Sequence, residues 1–404
     1  MVNRRGAHQP CAPSLAMTKA ARIPFWRDLR VLRALAQVLF VIFVILLGNW
    51  LYTNLQANLK RTNISFSYDF LQQPASMGIS EGLPFQPTDS YQYAFWVGVF
   101  NTFRVVFLGM ILATLVGLIV GVARLSSNWL VRTLSAIYVE TLRNTPLVVQ
   151  LVFWYTAVFL KLPRVDESLE LPGPIYLSQR GLVMPQPQPT ESFALWGMAL
   201  GGGLVVALGV YIARRIYLER VQRPGTPWLW GLSAFLLTAL GSWFLLPQAP
   251  LRWEPPVRGI FNFEGGMQFT PEFTALLLGL VIYTAAFIAE IVRAGILAVS
   301  KGQKEAARAL GLTDFQMLRL IVLPQALRVI VPPTTSQYLN LAKNSSLAVA
   351  IGYPDLFNVA NTIINQSGRA IEVILMIMGS YLTISLLTSL FMNWYNRRVR
   401  LVER

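Results

Sequence analysis

The sequence predicts an all-α integral membrane protein with about eight transmembrane helices. Two observations support this fold class. First, 54% of the 404 residues are hydrophobic and only 13% are charged, whereas soluble domains carry roughly a quarter charged residues. Second, the hydrophobic residues lie in long stretches, and a helix needs about 20 such residues to cross a bilayer. Most of the chain is therefore expected to fold against lipid.

The candidate spans are apolar stretches separated by polar or basic segments. The first is too long for the apolar core of a signal peptide, and no small-residue cleavage site follows it, so we expect it to remain as an anchor. The residues before it, 1–33, form a basic N-terminus in which Met17 is an alternative start to Met1. The spans are predicted at about 34–52, 94–122, 133–160, 192–212, 227–246, 272–294, 326–350 and 373–393.

The distribution of the 34 Lys and Arg residues predicts the orientation of the chain. Cytoplasmic loops of membrane proteins carry an excess of Lys and Arg. If the N-terminus is cytoplasmic, most of the basic residues fall inside, among them Arg214, Arg215 and Lys301. The basic tail 394–404 is then inside only if the polar stretch 326–350 also crosses. We therefore expect both termini in the cytoplasm.

Composition argues against several kinds of site. The chain has one cysteine, Cys11, and one histidine, His8, so neither a disulfide framework nor a histidine-built metal or haem site is expected. No lysine follows a glycine, which excludes the Gly-Lys pair of a phosphate-binding P-loop. The net charge of +15 is distributed between apolar stretches, which argues against nucleic-acid binding. No cofactor, no metal and no ATP hydrolysis by this chain are predicted.

The polar segment 300–324 has the pattern of two short helices joined by a glycine elbow. The first helix is expected to end at Gly311, because a helix C-terminus favours a left-handed residue. Thr313 and Gln316 have the spacing of a capping box, which starts the second helix, and Pro324 is expected to end the loop. The segment is therefore predicted to be a compact knob on the inner membrane surface, suited to a groove on a partner protein.

Polar residues interrupt two predicted spans, and lipid tolerates such residues only where they face protein or a water-filled cavity. In 326–350 we expect both Pro332-Pro333 and the run Asn344–Ser346 to break the regular helix. This makes the segment the best candidate for a solute pathway, with hydrogen bonding between helices as the alternative. The candidate pathway residues are Arg143, Asn144, Gln150, Ser336, Asn340, Lys343, Asn344, Ser345 and Ser346.

Charged pairs within the spans also have a structural interpretation. Glu140 lies one helical turn before Arg143 and could neutralise it. Glu290 and Arg293 are one turn apart near the inner end of their span, and we expect an ion pair there that braces the polar segment that follows. Lys343 has no acidic neighbour, so it is the better candidate for a cation that meets a solute.

Two stretches between spans, about 161–191 and 247–271, are rich in Pro and Gly and are expected to be irregular outer loops. The two spans between them consist mostly of Ala, Leu, Gly and Trp. The region 161–271 is therefore predicted to be an insertion into a core made of the other spans. No internal repeat is visible, so we expect the other half of a transport pathway to be another chain.

At the polar segment 300–324 the sequence resembles the EAA loop of binding-protein-dependent ABC importer permeases. Two further stretches, 143–150 and 343–348, resemble the polar amino-acid uptake branch of that family. The extra N-terminal span and the insertion resemble the longer permeases of general L-amino-acid transport systems. The loop residues that match at the expected spacing are Glu305, Ala306, Ala307, Gly311, Leu323 and Pro324.

The resemblance implies a type I ABC importer permease core at 93–393, preceded by an extra span and a periplasmic loop at 34–92. It implies a multi-pass subunit of the bacterial inner membrane that forms half of an amino-acid pathway. The loop 300–324 would couple it to a separate ATPase. The implied partners are ABC ATPase subunits, a second permease subunit, a periplasmic amino-acid-binding protein and the lipid bilayer.

Two other function classes fit part of the sequence. An ion-coupled secondary amino-acid carrier usually needs buried carboxylates, and only Glu140 and Glu290 qualify, both with basic neighbours. A membrane-embedded enzyme needs a nucleophile with its base or a metal site, and the scarcity of histidine argues against most versions.

Overall fold

The computed structural model describes residues 29–61, 66–223 and 225–399. The predicted start at Met17 and most of the basic N-terminus lie outside these residues. The chain divides into two units, 1–67 and 68–404. In the first unit, the described residues form the helix α1 (Leu29–Arg61), which contains a stretch apolar enough to span a membrane.

The second unit is mostly helical. Counting α1, seven of the described helices are long and apolar enough to cross a membrane, close to the predicted eight. The all-α fold class is confirmed. The helices of the second unit are α2 (Tyr91–Ala123), α3 (Trp129–Asn144), α4 (Leu147–Phe153), α5 (Phe193–Val221), α6 (Pro227–Leu245), α7 (Pro271–Leu297), α8 (Lys301–Ala309), α9 (Asp314–Met317), α10 (Leu323–Asn344), α11 (Leu356–Ser367) and α12 (Ala370–Val399).

The predicted span 133–160 is not one helix, because the chain breaks at Thr145-Pro146. Proline has no N–H for the helical ladder and forces the residue before it into an extended conformation, and Thr145 has φ −100° and ψ 127°. The carbonyl of Leu142 therefore loses its helical donor. The Gln150 side chain replaces it: its Nε2 donates to the Leu142 oxygen at 2.9 Å and to the Thr145 oxygen at 3.0 Å.

α2 and α7 pack closely at the centre of the second unit, and glycines permit the approach. A Cβ built on Gly117 would lie 2.6 Å from Cγ2 of Ile288. A Cβ on Gly121 would lie 2.7 Å from the carbonyl oxygen of Ala289. Because real carbon atoms do not come so close, the two helices keep this spacing only with glycine at both positions.

One apolar cluster connects this helix pair to the polar segment after α7 and to α10. Its members come from α2, α7, α8, α9 and α10 and the turns between them. We refer to it as the inner cluster, and its buried side chains are Val106, Ala113, Ala285, Ile288, Val292, Val299, Ala307, Met317, Val322, Ala326, Ile330, Leu341 and Ala342.

α10 continues through Pro332 and Pro333 without a break, so the predicted interruption at these prolines is wrong. A proline within a membrane helix is tolerated when neighbouring groups satisfy the freed backbone. The carbonyls freed here are those of Arg328 and Val329, and the Thr334 hydroxyl donates to the next carbonyl, that of Ile330, at 2.7 Å.

The second helix of the segment does not stop at Pro324. Residues Asp314–Ile351 form one long apolar run, with a π-helical turn at Leu318–Val322 before α10 begins. Pro324 follows this turn directly and lies within the run. The change of geometry after Asn344 is confirmed, because a 3₁₀ helix follows at Ser345–Ile351.

The two stretches predicted to be irregular loops contain short strands that pair with one another. We call the region that they form, 162–191 and 247–270, the outer lobe. The sequence does not indicate these strands, because each is at most four residues long, too short to show alternation. One antiparallel sheet has four strands in the order β1 (Leu169–Leu171), β2 (Ile175–Ser178), β3 (Gly181–Met184), β8 (Met267–Phe269). Two separate two-stranded sheets pair β4 (Gln186–Pro189) with β5 (Leu251–Glu254) and β6 (Val257–Arg258) with β7 (Phe263–Glu264).

The helices between the two halves of the lobe, α5 and α6, pack against each other. Gly203 and Gly231 lie in this contact, since a Cβ on Gly203 would meet Oγ1 of Thr238 at 2.6 Å. Small residues commonly bring membrane helices together in this way. The insertion boundaries at about 161 and 271 stay a prediction.

The α2–α7 contact leads to a stability prediction. Gly121→Ala should destabilise the chain by about 1–3 kcal/mol, because the added methyl group meets backbone at 2.7 Å. Gly379→Ala in α12 is the matched control, since a Cβ there meets nothing within 4 Å. Thermal midpoints in detergent should fall for Gly121→Ala and stay unchanged or rise for the control. Equal midpoints for the two variants would contradict the packing described here.

Candidate coupling loop and translocation pathway

The glycine elbow of the segment 300–324 is present as predicted. The Leu312 N–H donates to the Ala307 oxygen at 3.2 Å, and the Gly311 N–H to the Arg308 oxygen at 2.9 Å. This pair of bonds is the Schellman arrangement that ends helices at a left-handed residue, and Gly311 has φ +75°. The sequence predicted this feature because all its determinants lie within six residues.

The capping box that starts α9 is also confirmed. The Gln316 N–H donates to Oγ1 of Thr313 at 3.3 Å, and the Thr313 N–H donates to Oε1 of Gln316 at 2.9 Å. Both bonds satisfy backbone donors that a helix start leaves free. Together with the elbow, they fix the direction in which α9 leaves α8.

The elbow presents apolar side chains on its outer side. Leu310 is 81% exposed and Phe315 is 69% exposed, whereas Ala307 and Met317 on the inner side are buried in the inner cluster. Large exposed apolar groups on a rigid base are typical of protein-docking surfaces. Of the predicted coupling residues, Glu305, Ala306, Gly311 and Leu323 are exposed, Pro324 is half-buried and Ala307 is buried.

One face of α10 is polar and uncovered. Ser336, Asn340 and Lys343 are exposed along it, although the helix lies within a membrane-spanning run. Within the part of the chain that the structure describes, Lys343 makes no ion pair. Polar groups at membrane depth require water or protein beside them. This face therefore borders either a cavity or another chain.

Other candidate pathway residues support the backbone instead. Ser345 is buried and its hydroxyl donates to the Ala342 oxygen at 2.8 Å. The Ser346 hydroxyl donates to the Lys343 oxygen at 2.7 Å. Gln150 is buried at the break after α3. The hydrogen-bond donors of these side chains are therefore already used, whereas Asn344 is half-buried and only its main chain is engaged in the turn.

Arg143 is exposed at the end of α3, as is Asn144 beside it. Its guanidinium carbon lies 5.0 Å from the centre of the Phe287 ring, a cation–π contact with α7. Between described residues no ion pair joins Arg143 to Glu140, so the suggested neutralisation is not seen. Arg143 is therefore held against α7, and Lys343 is the cation with fewer contacts.

The predicted ion pair of Glu290 with Arg293 is confirmed, with Nη2 and Oε1 2.5 Å apart. A second arginine, Arg124 at the end of α2, also pairs with Glu290. Sequence reasoning missed Arg124 because 166 positions separate it from Glu290 and no local spacing relates them. The cluster ties the C-terminal ends of α2 and α7 together next to the segment 300–324.

Comparison with known proteins identifies the family. Residues 106–401 match the family described as "Binding-protein-dependent transport system inner membrane component". The chain is 45% identical to the putative amino-acid ABC transporter permease protein YhdX of Escherichia coli (strain K12), over 92% of this chain and 94% of that protein.

Two further relatives have similar extents. The general L-amino acid transport system permease protein AapQ of Rhizobium johnstonii is 44% identical over 91% of this chain and 92% of its own length. The glutamate/glutamine/aspartate/asparagine transport system permease protein BztB of Rhodobacter capsulatus is 38% identical over 88% of this chain and 90% of its own length. The chain therefore belongs to the binding-protein-dependent transport system inner membrane component family, and it is a multi-pass permease subunit of an ABC transporter.

Proposed function

We propose that this chain forms half of an amino-acid translocation pathway and couples it to a separate ATPase through the segment 300–324. One observation carries the proposal: the exposed elbow and the polar face of α10 are attached to the same inner cluster. A partner that moves Leu310 and Phe315 therefore also moves Ser336 and Asn340. The names of the relatives indicate the amino-acid substrate.

In this proposal the coupling residues have different tasks. Glu305 is exposed and makes no ion pair with any described residue, so its carboxylate is free for a partner. Ala306 leaves room beside it, and Gly311 allows the elbow. Ala307 anchors the knob in the inner cluster, and Leu323 with Pro324 joins it to α10.

The pathway residues are proposed to act on the groups that all amino acids share. Lys343 offers a cation to the substrate carboxylate, and a cation without a permanent partner at membrane depth gains from such a contact. Arg143 is the second candidate. Asn144, Ser336, Asn340 and Asn344 offer neutral hydrogen bonds. Gln150, Ser345 and Ser346 hold the backbone around them.

The arrangement of the assembly follows from the uncovered face. A single chain leaves the polar side of α10 open, so we propose that a second permease subunit, different from this one, closes the pathway. ATPase subunits would bind at the elbow and a periplasmic binding protein on the opposite side. The permease core would span 93–393 with the insertion at 161–271, after the extra span and loop at 34–92. Both termini would be cytoplasmic, in the bacterial inner membrane.

The alternative of an ion-coupled carrier finds no support in Glu140 and Glu290, the two carboxylates that the sequence suggested for it. Glu290 is engaged by Arg293 and Arg124. Glu140 is exposed on α3. Neither is a buried carboxylate without a cationic partner, which proton coupling requires.

The coupling proposal predicts a specific effect of residue type at Gly311. Gly311→Val should abolish most ATP-driven uptake, because a β-branched residue at φ +75° is strained by about 1–3 kcal/mol. Gly311→Asn is the control, since asparagine tolerates this conformation and a Cβ there meets nothing within 4 Å. Uptake and ATPase stimulation are measured at equal membrane abundance. Normal rates for Gly311→Val would show that the elbow does not couple the subunits.

The pathway proposal predicts the effect of removing the Lys343 charge. Lys343→Met should lower amino-acid uptake about tenfold, because a charge-assisted hydrogen bond contributes roughly 1.5–3 kcal/mol. Arg143→Met is the comparison and should have a smaller effect, since Arg143 contacts Phe287. Radiolabelled uptake and co-purification of the complex are measured together. Normal uptake in Lys343→Met with loss in Arg143→Met would transfer the role to Arg143.

The orientation predicts the accessibility of introduced cysteines. With Cys11 replaced by serine, a cysteine at Gly265 in the outer lobe should react with a membrane-impermeant maleimide in intact spheroplasts. A cysteine at Arg220, near the other end of α5, should react only after lysis. Labelling of the Arg220 position in intact spheroplasts would contradict the proposed topology.

A further inference from the structure

A polar cavity lies where the outer lobe meets the start of α7. Its volume is about 450 Å³, within the range that holds a small ligand. The side of the cavity formed by the lobe contains Gln179, Arg180 and Gln268, and the side formed by α7 contains Glu272. None of the candidate pathway residues lines it, so it is separate from the face of α10.

The cavity is lined by one cationic side chain, Arg180, and one anionic side chain, Glu272, which form no ion pair with each other. Among the described residues, Arg180 makes no ion pair and its guanidinium donates no hydrogen bond. Glu272 accepts a hydrogen bond from the Tyr155 hydroxyl at Oε1, at 2.8 Å, and its Oε2 has no donor from the described residues. Arg180 is exposed and Glu272 is half-buried. Opposite charges at the wall of one small cavity attract a ligand that carries both charges, because each end of the ligand gains a charge-assisted contact.

The backbone that carries Arg180 is held in place. Gln179 and Arg180 form the turn between β2 and β3, and the next residue, Gly181, has φ +100°. A Cβ on Gly181 would lie 2.0 Å from the carbonyl oxygen of Phe269, so the turn rests directly against the chain that leads into α7. Nε2 of Gln268 also donates to the Arg180 oxygen at 3.3 Å. A site built on fixed backbone loses little entropy when a ligand binds.

We propose that this cavity binds a free zwitterionic α-amino acid outside the membrane-spanning pathway. The substrate carboxylate contacts the Arg180 guanidinium, and the ammonium group donates to Oε2 of Glu272. The Gln179 amide and Oε1 of Gln268 offer hydrogen bonds to a polar side chain. The choice of ligand rests on the proposed function, whereas the site itself rests on Arg180, which has no ion pair among the described residues, and on Oε2 of Glu272.

The test uses the complete transporter in lipid nanodiscs, without ATP and without binding protein, and L-glutamine as the probe. Equilibrium binding is measured for the wild type, Arg180→Met and Glu272→Gln. Each substitution should weaken glutamine binding at this site at least about tenfold, because it removes one charge-assisted contact. Glu272→Gln keeps an acceptor for Tyr155. Arg164→Met is the matched control, since Arg164 shares a neighbouring cavity with Arg180 but does not line this one, and its binding should equal that of the wild type.

Two analogues of the probe test the pairing of charges. N-acetyl-L-glutamine lacks the ammonium group and L-glutaminamide lacks the carboxylate, so both should bind the wild type at least about tenfold more weakly than glutamine. The penalty for N-acetylation should disappear in Glu272→Gln, and the penalty for amidation should disappear in Arg180→Met. Thermal midpoints confirm that the variants are folded.

The outcomes separate this proposal from the proposed pathway. If glutamine binding is unchanged in folded Arg180→Met and Glu272→Gln, or if the wild type binds no glutamine, the cavity proposal is wrong, whatever the uptake result for Lys343→Met. If Lys343→Met alone removes glutamine binding, the cavity is likewise not the site, and the pathway proposal gains support. If Lys343→Met transports normally while the two cavity variants lose binding, the pathway assignment fails and the cavity proposal stands.

Discussion

The packing of Ala307 and Met317 against the inner cluster, beneath the glycine elbow, joins the segment 300–324 to the rest of the structure. These side chains lie in the same inner cluster as Ile330 and Leu341 of α10. Protein interiors are close-packed, so a force applied to one side of such a cluster moves the whole of it instead of compressing it. We therefore expect the exposed Leu310 and the polar face of α10 to move together. Without this contact the elbow would be an ordinary surface loop.

The bilayer imposes the second constraint, because lipid offers no hydrogen bonds to irregular or polar backbone. The chain satisfies it at the break after α3, where the Gln150 amide supplies the donor that Pro146 cannot supply. α10 keeps its helical geometry through Pro332 and Pro333. The polar side chains on the exposed face of α10 have no such partner within the described chain. We therefore propose that they face a pathway shared with another subunit.

The features predicted from sequence are those whose determinants lie close together in the chain. The elbow at Gly311, the capping box at Thr313 and the pair Glu290–Arg293 each need only a few neighbouring residues, and the apolar stretches show the spans directly. The features that were missed depend on distant contacts. Arg124 reaches Glu290 from another helix, and β3 and β8 pair although α5 and α6 lie between them. Pro332 and Pro333 predict a helix break from sequence, but α10 continues through them. The polarity of a residue in the sequence predicts a candidate for the pathway. It does not distinguish an exposed Asn340 from a buried Ser345.

The central claim is that the coupling segment and α10 move as one body. Spin labels on cysteines at Arg308 in α8 and Asn340 in α10, with Cys11 replaced by serine, report the distance within that body by pulsed electron resonance. A second pair, Arg308 with Glu264 in the outer lobe, reports motion relative to the outer side. Between the nucleotide-free transporter and the ATP-trapped transporter, the first distance should stay constant while the second changes. A change in the Arg308–Asn340 distance as large as that of the second pair would contradict the account.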